Sequence, residues 1–222
     1  MQSEKKGQEN GKKTQEAKTI LEAKNISFRY QKNLPWILNN VNLEIKEGER
    51  VALVGPSGYG KSTLARILAG YEAPKTGEVL WQGKPLPRTG YCPVQMIGQH
   101  PERAVNPRWK MEKILRECWN PQEDLLKRMG IEKAWMKRWP IELSGGELQR
   151  FCIARVLGPE TEFLICDEIS TMLDVITQAQ IWQVILEETK RRSMGMIAIT
   201  HNMALAERIC TRIVELPQID KK

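Results

Sequence analysis

The chain has 222 residues, of which 41% are hydrophobic and 27% are charged. These values are typical of one or two globular domains and exclude a chain that is disordered throughout. No stretch approaches the ~18 consecutive apolar residues of a membrane helix, and the charged N-terminus does not suggest a secretory signal. The net charge of +7 suits an anionic partner. Nucleic acid, an anionic membrane surface and a phosphate-bearing ligand are the three candidates, and composition does not choose among them.

Residues 1–18 are polar and rich in lysine, and we expect them to form a disordered tail. Order is predicted from residue 19 onward. Apolar residues alternate over 26–30 and over 41–45, which indicates two half-buried, antiparallel strands. The continuous apolar run at 51–54 predicts a strand that is covered on both faces.

The segment 93–160 is predicted to be a helical subdomain inserted into an α/β core, so that residues 19–222 form one domain. Its part from 103 to 139 holds four of the seven tryptophans and carries ten Lys and Arg against five Asp and Glu. After it, short apolar runs at 163–166, 196–199 and 213–216 alternate with helical patterns. This alternation predicts parallel βαβ units.

A glycine-rich loop that reads GPSGYGKS follows the central strand and fits the pattern G-x-x-x-x-G-K-[ST] completely. Glycines let the backbone wrap around phosphate oxygens, and the loop amides and the next helix N-terminus point at them. Lys61 is expected to reach the β- and γ-phosphates, and the Ser62 hydroxyl to bind Mg²⁺. The loop therefore predicts nucleoside triphosphate binding by Gly55, Pro56, Ser57, Gly58, Gly60, Lys61, Ser62 and Thr63.

Three further polar residues follow the ends of predicted parallel strands. Asp167 and Glu168 end one strand, and His201 comes just after another. Ligands of α/β folds bind at this edge of the sheet, where Asp167 can hold Mg²⁺ through water and Glu168 can reach the water that attacks the γ-phosphate. A strand-end cap for the carboxylates and a structural role for His201 are the alternatives.

The segment 143–150 reads LSGGELQR. It resembles the LSGGQ-type signature of the ATP-binding cassette (ABC) ATPases, with Glu147 where glutamine is commonest. Gly145 and Gly146 open a helix whose exposed N-terminus suits a second phosphate contact. Ser144 and Glu147 also fit a capping box, but capping does not explain the double glycine.

The resemblance extends over roughly residues 20–216, with the other cassette motifs in the family's order. It implies that Tyr30 stacks on adenine and that Gln99 is the Q-loop glutamine, which contacts Mg²⁺ and links the nucleotide site to the helical subdomain. It also implies that Asp167 is the Walker B aspartate, Glu168 the catalytic glutamate and His201 the switch histidine.

The implied fold is a P-loop NTPase core with a mainly parallel sheet, an N-terminal antiparallel β subdomain and an inserted α-helical signature subdomain. The segment 170–174, STMLD, resembles the D-loop. In this family two cassettes clamp each MgATP between the phosphate loop of one and the signature of the other. The signature residues that would contact ATP are Ser144, Gly145, Gly146 and Glu147.

The same resemblance implies the partners. The chain is expected to pair with itself or with a second ABC ATPase and to drive separate integral-membrane permease subunits. A substrate-binding protein would take part indirectly, and no nucleic acid is expected. The implied location is the cytoplasmic face of a bacterial cell membrane, to which the chain would attach peripherally.

A finer resemblance concerns the substrate. Two segments resemble the dipeptide, oligopeptide and nickel importer ATPases. The first is the Q-loop, which reads QHP at 99–101 and is followed by NPR at 106–108. The second is the stretch 173–181. The C-terminal segment usual in peptide importers does not follow Leu216, which favours nickel or another metal chelate. Ile169 stands where this group usually has proline, but no phosphate-contacting group is lost.

Other functions stay open on the sequence alone. They are an ABC exporter ATPase, a soluble ABC ATPase that acts on nucleic acid or ribosomes, and a nucleotide-binding regulatory subunit without turnover. The basic segment 103–139 also has two interpretations. It either docks at the membrane face beside anionic lipid and permease loops, or it is a solvated basic surface with tryptophans in a small local core.

Overall fold

The computed structural model describes residues 18–171 and 173–216. The predicted tail up to residue 17 and Met172 of the D-loop-like segment lie outside the described residues. The strands are β1 Thr19–Phe28, β2 Leu38–Lys46, β3 Arg50–Val54, β4 Thr76–Trp81, β5 Lys84–Pro85, β6 Val94–Ile97, β7 Phe163–Asp167, β8 Gly195–Ile199 and β9 Arg212–Glu215. The α-helices are α1 Lys61–Leu68, α2 Met111–Leu115, α3 Glu123–Arg128, α4 Gly145–Val156, α5 Val175–Arg191 and α6 Met203–Ile209.

A parallel sheet with the strand order β6-β7-β8-β3-β9 forms the centre of the fold. Its strands β7 and β8 are buried at every residue, and β3 at all but the first. Helices usually cover both faces of a parallel sheet, so side chains on both faces of a central strand are buried. This is why these strands are continuous apolar runs in the sequence. The order makes β7, β8 and β3 neighbours, so their carboxyl ends meet at one edge of the sheet.

A second sheet is antiparallel, with the order β2-β1-β4-β5. The alternating apolar residues of β1 and β2 predicted this pair. The strands β4 and β5 were not predicted, because the first three residues of β4 are exposed and β5 has only two residues. The predicted fold class, a P-loop NTPase core with an antiparallel β subdomain and a helical insertion, is confirmed.

The helical segment differs from its prediction in two respects. Val94–Ile97, assigned from the sequence to the insertion, pairs with β7 as an edge strand of the parallel sheet. Within this segment the sequence predicts helices over 111–119 and 122–129, and α2 and α3 are shorter than these spans. Three 3₁₀ turns complete the segment, at Pro101–Arg103, Lys133–Lys137 and Pro140–Glu142. The boundaries of the insertion as a separate subdomain stay a prediction.

Most tryptophans of the basic segment take part in a hydrophobic core that this segment shares with the rest of the domain. Trp135 is buried, and Trp109 and Trp119 pack against the same hydrophobic cluster. The indole N–H of Trp119 donates to the Arg155 carbonyl at 2.8 Å. Trp139 differs, since 40% of its surface is exposed. Three of the four tryptophans are therefore packed inside the protein, in a cluster that continues into β7, β8 and α5 and is larger than the small local core that was predicted.

Several basic side chains of this segment are paired with carboxylates. Arg116 lies 2.9 Å from Glu112, and Lys133 lies 2.5 Å from Glu123. These pairs reduce the charge that the segment can offer to an anionic surface. Among the residues that the structure describes, no helix combines the length and apolar composition needed to cross a bilayer.

Candidate active site

The loop between β3 and α1 is shaped by glycines with positive φ. Gly55, Gly58 and Gly60 have φ of 133°, 82° and 85°, a region that side chains disfavour and glycine tolerates. Gly60 is the N-cap of α1, and a Cβ there would lie 2.8 Å from Leu38 Cδ2 and 3.0 Å from Ile37 Cγ2. The start of α1 is therefore packed directly against the start of β2.

Lys61 is buried at the first position of α1. Its Nζ donates to the carbonyl oxygens of Gly55 at 2.7 Å and of Pro56 at 2.9 Å. The loop thus curls around the ammonium group and holds it with neutral acceptors. A phosphate oxygen can replace these acceptors and gain a charge-assisted bond.

Ser62 and Asp167 join α1 to the end of β7. The Ser62 hydroxyl donates to Asp167 Oδ1 at 3.1 Å. Burial raises the pKa of Asp167 above its ordinary value; the bond from Ser62 opposes this rise, and the charge of Glu168 adds to it. A hydroxyl beside a carboxylate is the kind of oxygen donor set that Mg²⁺ prefers, so these residues fit the predicted metal.

Replacing Asp167 with asparagine is expected to raise the melting temperature of the nucleotide-free protein at neutral pH. Burial raises the pKa of this carboxyl, so stability is highest when it is protonated and falls as pH rises through the raised value. Asparagine keeps an oxygen for the Ser62 hydroxyl without the charge. The gain in melting temperature over the wild type, measured from about pH 4 to about pH 8, should grow with pH.

Asp174 provides a matched control of opposite sign. It is the N-cap of α5, and its Oδ1 accepts from the backbone amides of Thr177 at 3.0 Å and Ile176 at 3.1 Å. The bonds from Thr177 lower the pKa of this carboxyl. Asp174→Asn should therefore lower the melting temperature at neutral pH, with a smaller loss in acid. An Asp167→Asn variant that never exceeds the wild type would contradict the prediction.

Glu168 and His201 meet at the ends of β7 and β8, with Oε1 and Nε2 2.7 Å apart. Glu168 has a φ of 52°, which is uncommon for a residue with a side chain. Its amide donates to the Ile199 carbonyl at 3.1 Å, and its carbonyl accepts from the Thr171 hydroxyl at 2.9 Å. These bonds hold the carboxylate beside the imidazole, a pairing that can orient and polarise a water molecule.

These groups line a cavity of about 840 Å³, a size typical of small-molecule sites. The predicted residues in its wall are Ser57, Gly58, Gly60, Lys61, Ser62, Thr63, Gln99, Glu168 and His201. Gln99 reaches it from the chain that follows β6. The wall also contains residues that were not predicted, namely Leu34, Pro35, Trp36, Ile37 and Tyr59. The aromatic residue within the apolar run 34–38 was the available signal for the first four, and the phosphate-loop pattern itself contains Tyr59.

Within the described residues, other predicted members lie outside this wall. Gly55 and Pro56 contribute through the carbonyls that hold Lys61, and Asp167 contributes through Ser62. Tyr30 is half exposed, and its ring meets that of Phe28 edge-on. The structure therefore does not bring Tyr30 into the cavity.

The signature residues also lie outside the cavity wall. Ser144 is the N-cap of α4, where its Oγ accepts from the Glu147 amide at 3.2 Å and Glu147 Oε2 accepts from the Ser144 amide at 2.7 Å. These reciprocal bonds are a capping box. Ser144 and Gly145 are exposed, and a Cβ at Gly146 would lie 3.3 Å from Leu173 Cδ2. The helix N-terminus is thus open to a partner on the surface.

Comparison with known proteins identifies the family to which this chain belongs. The family model described as ABC transporter matches residues 38–171. The nickel import ATP-binding protein NikE of Escherichia coli strain K12 is 37% identical over 197 residues, which cover 80% of this chain and 74% of that protein. NikE of Shigella flexneri serotype 5b is 36% identical over 197 residues, which again cover 80% of this chain and 74% of that protein.

Solved structures show the same fold. The dimeric post-hydrolysis state of the ATP-binding cassette MJ0796, bound to ADP and Pi, matches with a TM-score of 0.76 at 26% identity, over 89% of this chain and 94% of that one. The cbiO1 structure from Clostridium perfringens, part of the ABC transporter complex cbiONQ, matches with a TM-score of 0.72 at 25% identity. That match covers 90% of this chain and 85% of cbiO1.

Proposed function

Because this chain belongs to the ABC transporter ATPases, we propose that it is the ATP-hydrolysing subunit of a bacterial importer and acts on MgATP at an interface between two cassettes. The observation that carries the proposal is the cavity at the carboxyl ends of β3, β7 and β8. There Lys61, Ser62 and Gln99 lie in one wall with Glu168 and His201. Such a site supplies both phosphate-binding groups and groups that can activate water.

The phosphate end of the proposed site is the loop before α1. Lys61 would exchange the carbonyls of Gly55 and Pro56, 2.7 and 2.9 Å away, for oxygens of the β- and γ-phosphates. The loop amides and the N-terminus of α1 add further donors. Ser62, Asp167 and Gln99 would hold Mg²⁺, which neutralises part of the phosphate charge when bound.

Hydrolysis is proposed to use the pair at the ends of β7 and β8. Glu168 orients a water molecule, whose oxygen bonds to the γ-phosphorus as the bond from that phosphorus to the bridging oxygen of ADP breaks. Glu168 can accept a proton from the water. His201 Nε2 donates to a γ-phosphate oxygen. Since the two side chains contact each other at 2.7 Å, this contact must loosen for both to act.

The second half of the proposed site comes from another cassette. The residues Ser144, Gly145, Gly146 and Glu147 stand outside the cavity of their own chain, at an exposed helix N-terminus that suits phosphate. A paired cassette would bring them to the γ-phosphate, as the related dimer with ADP and Pi supports. A second copy or a related ABC ATPase could serve as the partner.

The proposed cargo is nickel or another metal chelate, with peptides as the alternative. The support is the name of the relatives, nickel import ATP-binding protein. The proposed partners are integral-membrane permease subunits and, indirectly, a substrate-binding protein. The match to cbiO1, a part of the complex cbiONQ, supports peripheral attachment to such subunits at the cytoplasmic face of the membrane.

Affinity purification of the tagged full chain from membranes of its source organism is expected to recover permease subunits. A strain that lacks the chain should lose nickel uptake to the level of a strain without those permeases, because the energy source is gone. Complementation with Glu168→Gln should not restore uptake, and the wild-type gene should. Lost dipeptide uptake with normal nickel uptake would establish the peptide alternative, and recovery of ribosomes would contradict transport.

A further inference from the structure

A buried ion pair joins the helical segment to the core at a place that the proposed hydrolysis does not use. Glu188 of α5 is only 4% exposed, and its Oε1 accepts from the guanidinium of Arg128, the last residue of α3, at 2.8 Å. Burial by itself raises the pKa of Glu188, but the bonds from Arg191 and Arg128 outweigh it and lower the pKa below its ordinary value. The contact is therefore a pair of full charges between two elements that are 60 residues apart in the chain.

Each charge of this pair has a second partner on its own helix. Arg128 lies 3.4 Å from Asp124, one turn earlier on α3, and the second carboxylate oxygen of Glu188 accepts from Arg191 on α5. Breaking a buried ion pair is usually costly because it leaves a charge without a partner. Here the two helices can separate while both charges stay paired, so the contact can open at low cost.

The surroundings of the pair leave room for such an opening. A cavity of about 500 Å³ adjoins it, lined by Arg128 and Glu188 together with Trp119, Leu125 and Pro159 among others. Within the described residues, the buried Nε of Arg128 has no hydrogen-bond acceptor, although buried donors are nearly always paired. A contact that is built only to be static would be close-packed and fully bonded, and this one is neither.

The end of α3 also determines where the signature helix α4 stands. The Met129 carbonyl, next to Arg128, accepts from Arg150 of α4 at 2.6 Å. A Cβ at Gly130 would lie 2.9 Å from the same guanidinium nitrogen, so the chain that leaves α3 is packed directly against α4. Arg150 reaches α5 as well, through Gln180 Oε1 at 3.0 Å. A shift of α3 relative to α5 is therefore transmitted to α4, whose N-terminus carries the signature residues.

We propose that the Arg128–Glu188 pair is a releasable latch, which holds α4 on the core when it is closed and opens during each ATP cycle. This inference rests on the proposed function, in which the signature at the start of α4 meets the nucleotide of a paired cassette. An apolar pair of similar shape would hold the two helices at least as firmly, but it could not separate without exposing its apolar surface to water. Charges with partners in reserve permit both holding and release at one position.

Hydrogen exchange and phosphate release of the full chain together test the latch. The double variant Arg128→Met with Glu188→Leu replaces the ion pair with an apolar contact. Its melting temperature should equal or exceed that of the wild type, and the amides of α3 and α4 should exchange more slowly without nucleotide. Phosphate release with the membrane partners present should nevertheless fall about fivefold or more, since the latch no longer opens.

Two further variants separate release from stability. Arg128→Met alone should speed amide exchange in α3 and α4 at nearly the wild-type melting temperature, because Glu188 keeps Arg191. This variant also decides the matter if the double variant does not fold. The matched control is Arg212→Met with Glu49→Leu, which makes the same change in an ion pair of 2.7 Å that lies within the core. It should leave phosphate release and the exchange in α3 and α4 unchanged.

Three results would overturn the latch. Wild-type phosphate release in the apolar double variant is the first, and a melting temperature of Arg128→Met far below that of the wild type, the mark of a stranded charge, is the second. The third is amide exchange in α3 and α4 that is unchanged in both variants. A wild-type chain that releases no phosphate from MgATP with its partners would contradict the proposed function instead. The exchange measurements need no nucleotide, so the two proposals can fail separately.

Discussion

Glu168→Gln is expected to bind MgATP at least as tightly as the wild type and to lose about a hundredfold or more in turnover, the usual contribution of a general base. Glutamine has nearly the same shape and keeps an oxygen for His201, which lies 2.7 Å from Glu168 Oε1. It cannot accept a proton from the attacking water. Removing a negative charge beside the γ-phosphate also removes a repulsion, so binding should not weaken.

Two measurements on the same protein separate these effects. Phosphate release with the membrane partners present reports turnover, and titration with MgATP reports binding. Glu207→Gln is a matched control, because it makes the same change at an exposed position of α6 and should leave both quantities unchanged. Wild-type hydrolysis by Glu168→Gln would contradict the role proposed for this carboxylate. Lost MgATP binding would instead indicate that Glu168 contributes to binding the nucleotide before the chemical step.

Lys61→Ala is expected to lower the affinity for MgATP by about a hundredfold or more, in line with truncating a buried charged partner. The ammonium is buried and held by two backbone carbonyls of the loop. Its removal takes away the only lysine or arginine side chain in the cavity wall, within the described residues. Both MgATP and magnesium tripolyphosphate should lose affinity, because both ligands carry the phosphates that Lys61 would contact.

Lys84→Ala controls for the change in net charge, since Lys84 is exposed on β5 in the antiparallel sheet. Its nucleotide affinity should equal that of the wild type. The melting temperature of Lys61→Ala should be recorded as well, because the aliphatic part of the side chain is buried. An unchanged affinity in a folded Lys61→Ala protein would refute phosphate binding by this lysine.

The phosphate loop shows how much can be predicted from the sequence. The pattern GPSGYGKS predicted a loop between a buried strand and a helix, with Lys61 directed at phosphate. The structure places it between β3 and α1 and has positive φ at Gly55, Gly58 and Gly60. Such motifs are predictable because each residue's task depends on its neighbours in the chain.

The signature segment was predictable only in part. Ser144 and Glu147 form the expected capping box, since this contact spans three residues of one helix turn. The contact with a second cassette depends on another chain, and it stays a prediction. The same distinction applies to β6, the four-residue segment VQMI. It joins the parallel sheet through its pairing with β7, a long-range contact that its own pattern does not encode.

The sequence by itself determined the family, the fold class and most residues of the candidate site, because these follow from motifs and from the apolar runs of buried strands. Only the tertiary structure decided which side chains meet. The sheet order puts β7 and β8 side by side, which brings Glu168 to within 2.7 Å of His201. The packing of the chain before β2 also puts Trp36, and not Tyr30, in the cavity wall. Strand order and packing depend on contacts between distant residues, which local periodicity cannot specify.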